Sequence, residues 1–327
     1  MKGVPSRIAD NFFWLGRYAE RLENRVQIVR AMFSRIVDEH DSRMLEQVHA
    51  LTQLLAAIGL RPAQHPWSGA GGPWDKSLRE IIYDPNVIGG VADLNQKVVG
   101  IVSSARERFS GDAWRVLNRL RDFPGKAPTR RSMDAIQTLI HDLISHLSAL
   151  TGIEMENMTR GHIWKFLDIG RRIERSQNLC MLIRHGIQIT KGSGLLLNPL
   201  LEISDSSMTY RMRYFSEPTP ETVLEELLLD ETNPRALKFN LNILENHTRS
   251  LPEPQGAENE SELCKLIGEI NNTVSPTLVG DINNWLISNT PETAGGLLGR
   301  LHDQLVGFSD ALNHRYFSLL KTKISSQ

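Results

Sequence analysis

Two cysteines among 327 residues, Cys180 and Cys264, are too few for a disulfide framework. Both fall inside helical patterns, so they read as buried free thiols in a reducing compartment. Neither sign of charge dominates: 37 Lys and Arg stand against 38 Asp and Glu, for a formal net charge of −1. The chain as a whole therefore has no electrostatic bias toward nucleic acid or acidic membranes, although a local basic patch stays open. No stretch approaches the roughly 18 apolar residues of a membrane span. The opening "MKGVPSRIADNFFWLGR" is interrupted by charge every few residues and does not read as a signal peptide. A cytoplasmic protein is expected, with no nucleic-acid or membrane partner. Four-ligand zinc spacing, a P-loop, G-x-G-x-x-G and H-E-x-x-H are all missing. No cofactor and no metal site is expected.

Strand-like alternation is missing too, and long segments of helical periodicity fill the space between clusters of Gly and Pro. With 40% hydrophobic and 23% charged residues, the composition suits a folded core. An all-α fold follows. The first helix starts after Ser6 and runs to about Asp38, and a second covers about 42–58. The stretch "GLRPAQHPWSGAGGPW" is the clearest loop. Next come "KSLREIIYD", a helix over about 86–109, another capped by Ser110, and a long one from Ser132. The second half repeats the plan: a long helix over about 164–190, a break at "KGSG", shorter segments, "NPRALKFNLNILENHTRSL" with Pro234 near its first turn, and a last helix over about 291–320.

One pattern is written twice. Residues 14–24 read "WLGRYAERLEN" and residues 168–178 read "DIGRRIERSQN", so G-R-x-x-E-R-x-x-N recurs 154 positions on. His141-Asp142 and His302-Asp303 recur in the same sense, inside "LIHDL" and "RLHDQL". The chain reads as one domain over 1–327, a compact multi-helix unit built from two six-helix pseudo-repeats, about 1–158 and 159–327. The period is too long for a solenoid.

On a helical wheel Gly16, Arg17, Glu20, Arg21 and Asn24 share one stripe, roughly 140° wide at 100° per residue. Leu15, Leu22, Val26 and Val29 form the apolar face away from it. Gly170, Arg171, Glu174, Arg175 and Asn178 make the same stripe in the second copy. A solvated face with ordinary i,i+3 and i,i+4 pairs is one reading. However, the polar positions repeat while the apolar neighbours drift: Tyr18 matches Arg172, and Leu22 matches Ser176. A glycine inside a helix costs about 1 kcal/mol relative to alanine. Its double occurrence suggests two helices crossing at their glycines, with Glu20 and Glu174 held by arginines. A ligand-binding cleft made of the same groups is the other possibility. A second candidate is "EMENMTRGH", where Glu156, Asn157, Thr159, Arg160 and His162 form either a polar helix junction or a partner or ligand surface. No Ser, Cys or His sits in a recognisable triad context.

Four blocks, in order, carry a resemblance: "SRIADNFFWLGRYAERLEN", "ARERFSGDAWRVLN", "MENMTRGHIWKFLDIGRRIER" and "NPRALKFNLNILENH". Together they resemble the alpha-E family, a bacterial all-helical domain with an "ER" motif, here Glu20-Arg21 and Glu174-Arg175. The "ARERF" block, with Arg106 and Arg108, is shorter than the family's usual run. The resemblance implies a setting beside a circularly permuted ATP-grasp ligase, with transglutaminase-like peptidases, in synthesis or processing of a peptide or amide. The expected role is a non-catalytic accessory or scaffold for a separately encoded ATP-grasp-type ligase, positioning that enzyme or its carboxylate or peptide substrate. The alternative is an enzyme acting on a carboxylate- or phosphate-bearing substrate at the paired stripe. Homo-oligomerisation is left open.

Overall fold

The computed structural model describes residues 6–36, 42–60, 74–123, 133–191, 193–252, 262–287 and 291–317. Among these residues every regular element is helical, as the periodicity predicts. The expected loop over 59–74 lies almost wholly outside the described residues, as does the turn after Phe123.

Two compact units emerge: Tyr18–Thr159 in one, and Met1–Arg17 with Arg160–Gln327 in the other. The first unit holds the C-terminal part of α1 (Ser6–Ile36), then α2 (Ser42–Ala57), α3 (Trp74–Tyr83), α4 (Val91–Ser104), α5 (Gly111–Arg121) and α6 (Met133–Asn157). Ser110 caps α5 as expected, its side chain accepting from the Ala113 N–H. The start of α4 lies later than the expected 86. Asp84 accepts from the Asn86 N–H at 2.9 Å, and Gly89 takes a φ of 77°. The Asp93 side chain then accepts from the Gly89 N–H at 2.8 Å. Local side-chain bonds hold 84–90 as turns, so the helix waits until Val91.

The second unit combines the first turns of α1 with α7 (His162–Thr190), α8 (Leu197–Ile203), α9 (Ser207–Tyr214), α10 (Pro220–Leu224), a π-helical turn (Glu225–Leu229), α11 (Leu237–Arg249), α12 (Glu262–Thr273), α13 (Pro276–Ile287) and α14 (Pro291–Phe317). The first half thus contributes six α-helices and the second eight among the described residues. One of the two extra helices comes from "LLEISDSSMTYRMRYF", which breaks at Asp205 with a φ of 51°. Pro234 does not open α11. Asn233 accepts from the Arg235 N–H at 2.9 Å, and the helix begins three residues after the proline, at Leu237.

Helix α7 is the centre of this unit and is buried nearly all round. It runs antiparallel to α14: Phe166 meets Tyr316 and Phe317 at one end, and Gln188 lies against Gly295 at the other. Glycines on α14 make room for long polar side chains of α7. A methyl group on Gly299 would come within 2.8 Å of Arg184 Nη1. Cys180 and Cys264 are buried free thiols as expected, and burial pushes the Cys180 thiol up to about 12.

Candidate functional site

The repeated stripe is not a solvated face. Arg17, Glu20, Arg171 and Glu174 are each less than 9% exposed, and both glycines are buried. Arg21, Asn24, Arg175 and Asn178 are half-buried. The wheel placed an apolar face opposite the stripe; both are buried here.

Gly16 and Gly170 explain why a helix-weakening residue is written twice. A methyl group on Gly16 would overlap the Leu167 carbonyl oxygen and come within 2.8 Å of the Arg171 nitrogen. A methyl group on Gly170 would overlap the Phe13 carbonyl oxygen and come within 3.4 Å of the Arg17 nitrogen. The first turns of α1 and the middle of α7 therefore touch backbone to backbone, the close approach that glycine permits.

Arg17, one residue beyond the crossing, turns its guanidinium toward buried groups of α7 and α14. Its Nε lies 2.6 Å from Glu174 Oε2. One terminal nitrogen donates to Gln177 Oε1 at 2.7 Å, and the other to Ser309 Oγ on α14 at 3.3 Å. All four residues are buried. The planar guanidinium suits this role better than lysine, since it donates in several directions at once. Arg175 reaches the Pro234 carbonyl at 3.2 Å.

A second buried network lies outside the repeated stripe. Asp168, 1% exposed, accepts from Arg172 Nε at 2.7 Å and pairs with His247 Nε2 on α11 at 2.9 Å. Arg172 also donates to Asn240 Oδ1 at 3.1 Å, and Asn240 in turn donates to the Pro234 and Ala236 carbonyls. Burial pushes the Asp168 carboxyl up, but the His247 hydrogen bond and the Arg172 and Arg171 charges outweigh it and hold the group well below the usual carboxylate range. The network ties α7 to α11. Its members lie up to 79 positions apart, so no local spacing announces them.

A third cluster sits at the π-helical turn. Glu226 there has a fully buried side chain. Asn233 donates to its Oε1 at 2.8 Å, and Arg213 lies 3.4 Å from its Oε2. Arg213 also pairs with Asp230 at 2.8 Å and Glu225 at 3.3 Å. Burial, with the charge of Asp230, pushes the Glu226 carboxyl up despite Asn233 and Arg213.

The second candidate group is split by the helix junction. Glu156 and Asn157 end α6 and Thr159 follows it, all exposed. Arg160 is exposed, with its guanidinium carbon 4.1 Å from the Trp164 ring centre. His162 opens α7 and is half-buried. Gly161 is the extended N-cap of α7, so the chain breaks between two helices here instead of kinking within one.

Residues 4–317 match the Alpha-E family model, described as "a predicted alpha-helical domain with a conserved ER motif". The match covers nearly the whole chain, and the chain belongs to this family. Relatives include uncharacterized proteins of Mycobacterium tuberculosis and Mycobacterium bovis, each 24% identical over 330 residues. The alignment takes in 96% of this chain but only 37% of each relative. No solved structure matches. Among the described residues, no helix is long and apolar enough to cross a membrane.

Proposed function

We propose that this member of the alpha-E family is a non-catalytic accessory or scaffold protein of the cytoplasm, serving a separately encoded ATP-grasp-type ligase in peptide or amide synthesis. It positions the ligase or its carboxylate or peptide substrate. The observation that carries this reading is the buried Arg17–Glu174–Gln177–Ser309 network. In an enzyme built on the stripe, Arg17 would grip a substrate anion and Glu174 would move a proton. Here both are buried and committed to each other and to neighbouring helices. The rival enzyme reading accordingly finds less support at this end of the stripe.

The relatives support a modular role. In them the matched region shares its chain with a larger amount of further sequence. We also infer that the two halves descend from one duplicated six-helix unit. The crossing supports this, because 154 positions separate Gly16 from Gly170 and also Phe13 from Leu167. The second half then gained breaks within its shorter helices.

Co-purification with the ligase of the same organism tests the function, alongside ligase assays with and without this chain. A stable complex, or ligase activity raised by the chain, is expected. Two proteins that never associate, with ligase activity unchanged by the chain, would contradict the proposal.

A further inference from the structure

Large apolar side chains are exposed at few described positions, and three of them gather at α9. Met208 is 66% exposed, Met212 70% and Phe215 87%. Met208 and Met212 are one helical turn apart, and Phe215 follows the last residue of the helix. On the wheel, Arg211 flanks the methionines on the same outward side. The opposite side of α9 is firmly held. Tyr210, 1% exposed, stacks on Tyr214 with ring centres 4.7 Å apart, and its hydroxyl lies 2.7 Å from Thr222 Oγ1. Arg213 anchors the same helix to Asp230 and Glu225. The apolar stripe is thus a rigid display on a braced helix.

Phe215 adds a second sign. It caps α9 in the left-handed region, with φ 50° and ψ 24°. Glycine and asparagine adopt that conformation readily, whereas a bulky aromatic is strained in it. The ring recovers nothing by burial within the described fold, since it faces solvent. Strained, exposed and apolar together is a combination found at recognition surfaces. Arg211 supplies the charge. Its Nε donates only to the Ser207 carbonyl, at 3.3 Å, and it has no carboxylate partner among the described residues.

We propose that the Met208–Met212–Phe215 stripe, edged by Arg211, is a docking surface for a partner polypeptide that presents an apolar side-chain cluster bordered by a carboxylate. Methionine suits such a surface, because its flexible thioether moulds to an incoming side chain. Phe215 provides the rigid anchor. The arginine favours a partner whose acidic edge can pair with it. Identification of that polypeptide as the ligase rests on the function proposed above, and the mycobacterial relatives make a polypeptide occupant apt, since there the matched region is joined to further protein.

The test uses the full chain and the full-length ATP-grasp-type ligase of the same organism as the probe, with affinity read by calorimetry. A Met208→Gln/Met212→Gln/Phe215→Asn variant should bind at least tenfold more weakly, with an unchanged or higher melting temperature, since asparagine suits the left-handed cap. Phe215→Asn alone should weaken binding several-fold and serves if the triple variant is poorly soluble. Arg211→Glu should also weaken binding, most at low salt. Wild-type affinity in all three variants would overturn the docking surface and leave the ligase partnership standing. No binding by the wild-type chain would overturn the partnership and the docking surface with it. Wild-type self-association by light scattering, lost in the triple variant, would make a second copy the occupant and likewise overturn the proposal.

Discussion

Gly16 and Gly170 each lie against the backbone carbonyl of the residue three positions before the other: Gly16 on Leu167, Gly170 on Phe13. The contact is reciprocal, and both neighbours are backbone atoms, which cannot swing aside as a flexible side chain would. Gly16→Ala or Gly170→Ala should therefore force the helices apart. Overpacking typically costs about 1–3 kcal/mol, against a propensity gain of roughly 1 kcal/mol for alanine over glycine. A net loss of stability is expected, seen as an earlier thermal melt. Gly307→Ala in α14 is the control, because a methyl there meets nothing within 4 Å. It should leave stability unchanged or raise it by up to about 1 kcal/mol. A stabilising Gly16→Ala would show that the crossing does not require glycine.

Asp168 gives the fold an acid-sensitive joint. Its carboxyl is held below the ordinary range, so the folded state binds the proton less tightly than the unfolded chain does. The stabilisation from this depressed carboxyl is complete above the unfolded value, about 3.9, and disappears as pH falls toward the folded value. Asp168→Ala should cost about 3–5 kcal/mol near neutral pH, because it strands Arg172 in the interior. Denaturant unfolding of wild type and variant should show that gap closing below about pH 4. A gap that is constant from pH 7 to pH 2 would contradict the Asp168–Arg172–His247 account.

Glu226 runs with the opposite sign. Its carboxyl is held above the ordinary range, so the charged form is disfavoured in the folded state. A group of this kind favours folding most below its unfolded value and loses that contribution as pH rises through the folded value. Glu226→Gln keeps an acceptor for the Asn233 amide and removes the buried charge. Near neutral pH it should be neutral or stabilising by up to about 1 kcal/mol, with the advantage fading toward pH 4. Substantial destabilisation at pH 7 would mean that the Arg213 pairing outweighs the cost of burial.

The helical class and the placement of most helices were legible in the sequence, because periodic apolar residues and Gly/Pro breaks act locally. The crossing was legible only through its repetition. One G-R-x-x-E-R-x-x-N stripe looks like a polar surface, and the wheel indeed set it opposite the apolar face. Burial of Arg17 and Glu174 comes from packing on α7 and α14, which a single helix does not encode. The Asp168–His247 pair was invisible for the same reason: its partners sit on α7 and α11 with no motif linking them. The late start of α4 and of α11 reflects side-chain bonds from Asp84, Asp93 and Asn233 that compete with helix formation. The left-handed cap at Phe215 was not legible, since no glycine or asparagine marks that position.

The repeated stripe makes an internal helix crossing at Gly16, Arg17, Gly170 and Glu174 and is not a solvated face. Side-by-side thermal melts of Glu174→Ala, Glu20→Ala and Arg30→Ala test it most directly. Glu174→Ala leaves the buried Arg17 without its counter-charge, and Glu20 is equally buried at 5% exposure. Glu174→Ala should cost about 3–5 kcal/mol, a large share of the roughly 5–15 kcal/mol that holds a typical domain folded, and Glu20→Ala should also melt early, as loss of a buried side chain does. Arg30 is half-buried on the same helix and has no ion-pair partner among the described residues. Its removal should cost under about 1 kcal/mol. Early melting of both glutamate variants beside a near-wild-type Arg30→Ala is the predicted result; small, equal shifts in all three would contradict the account.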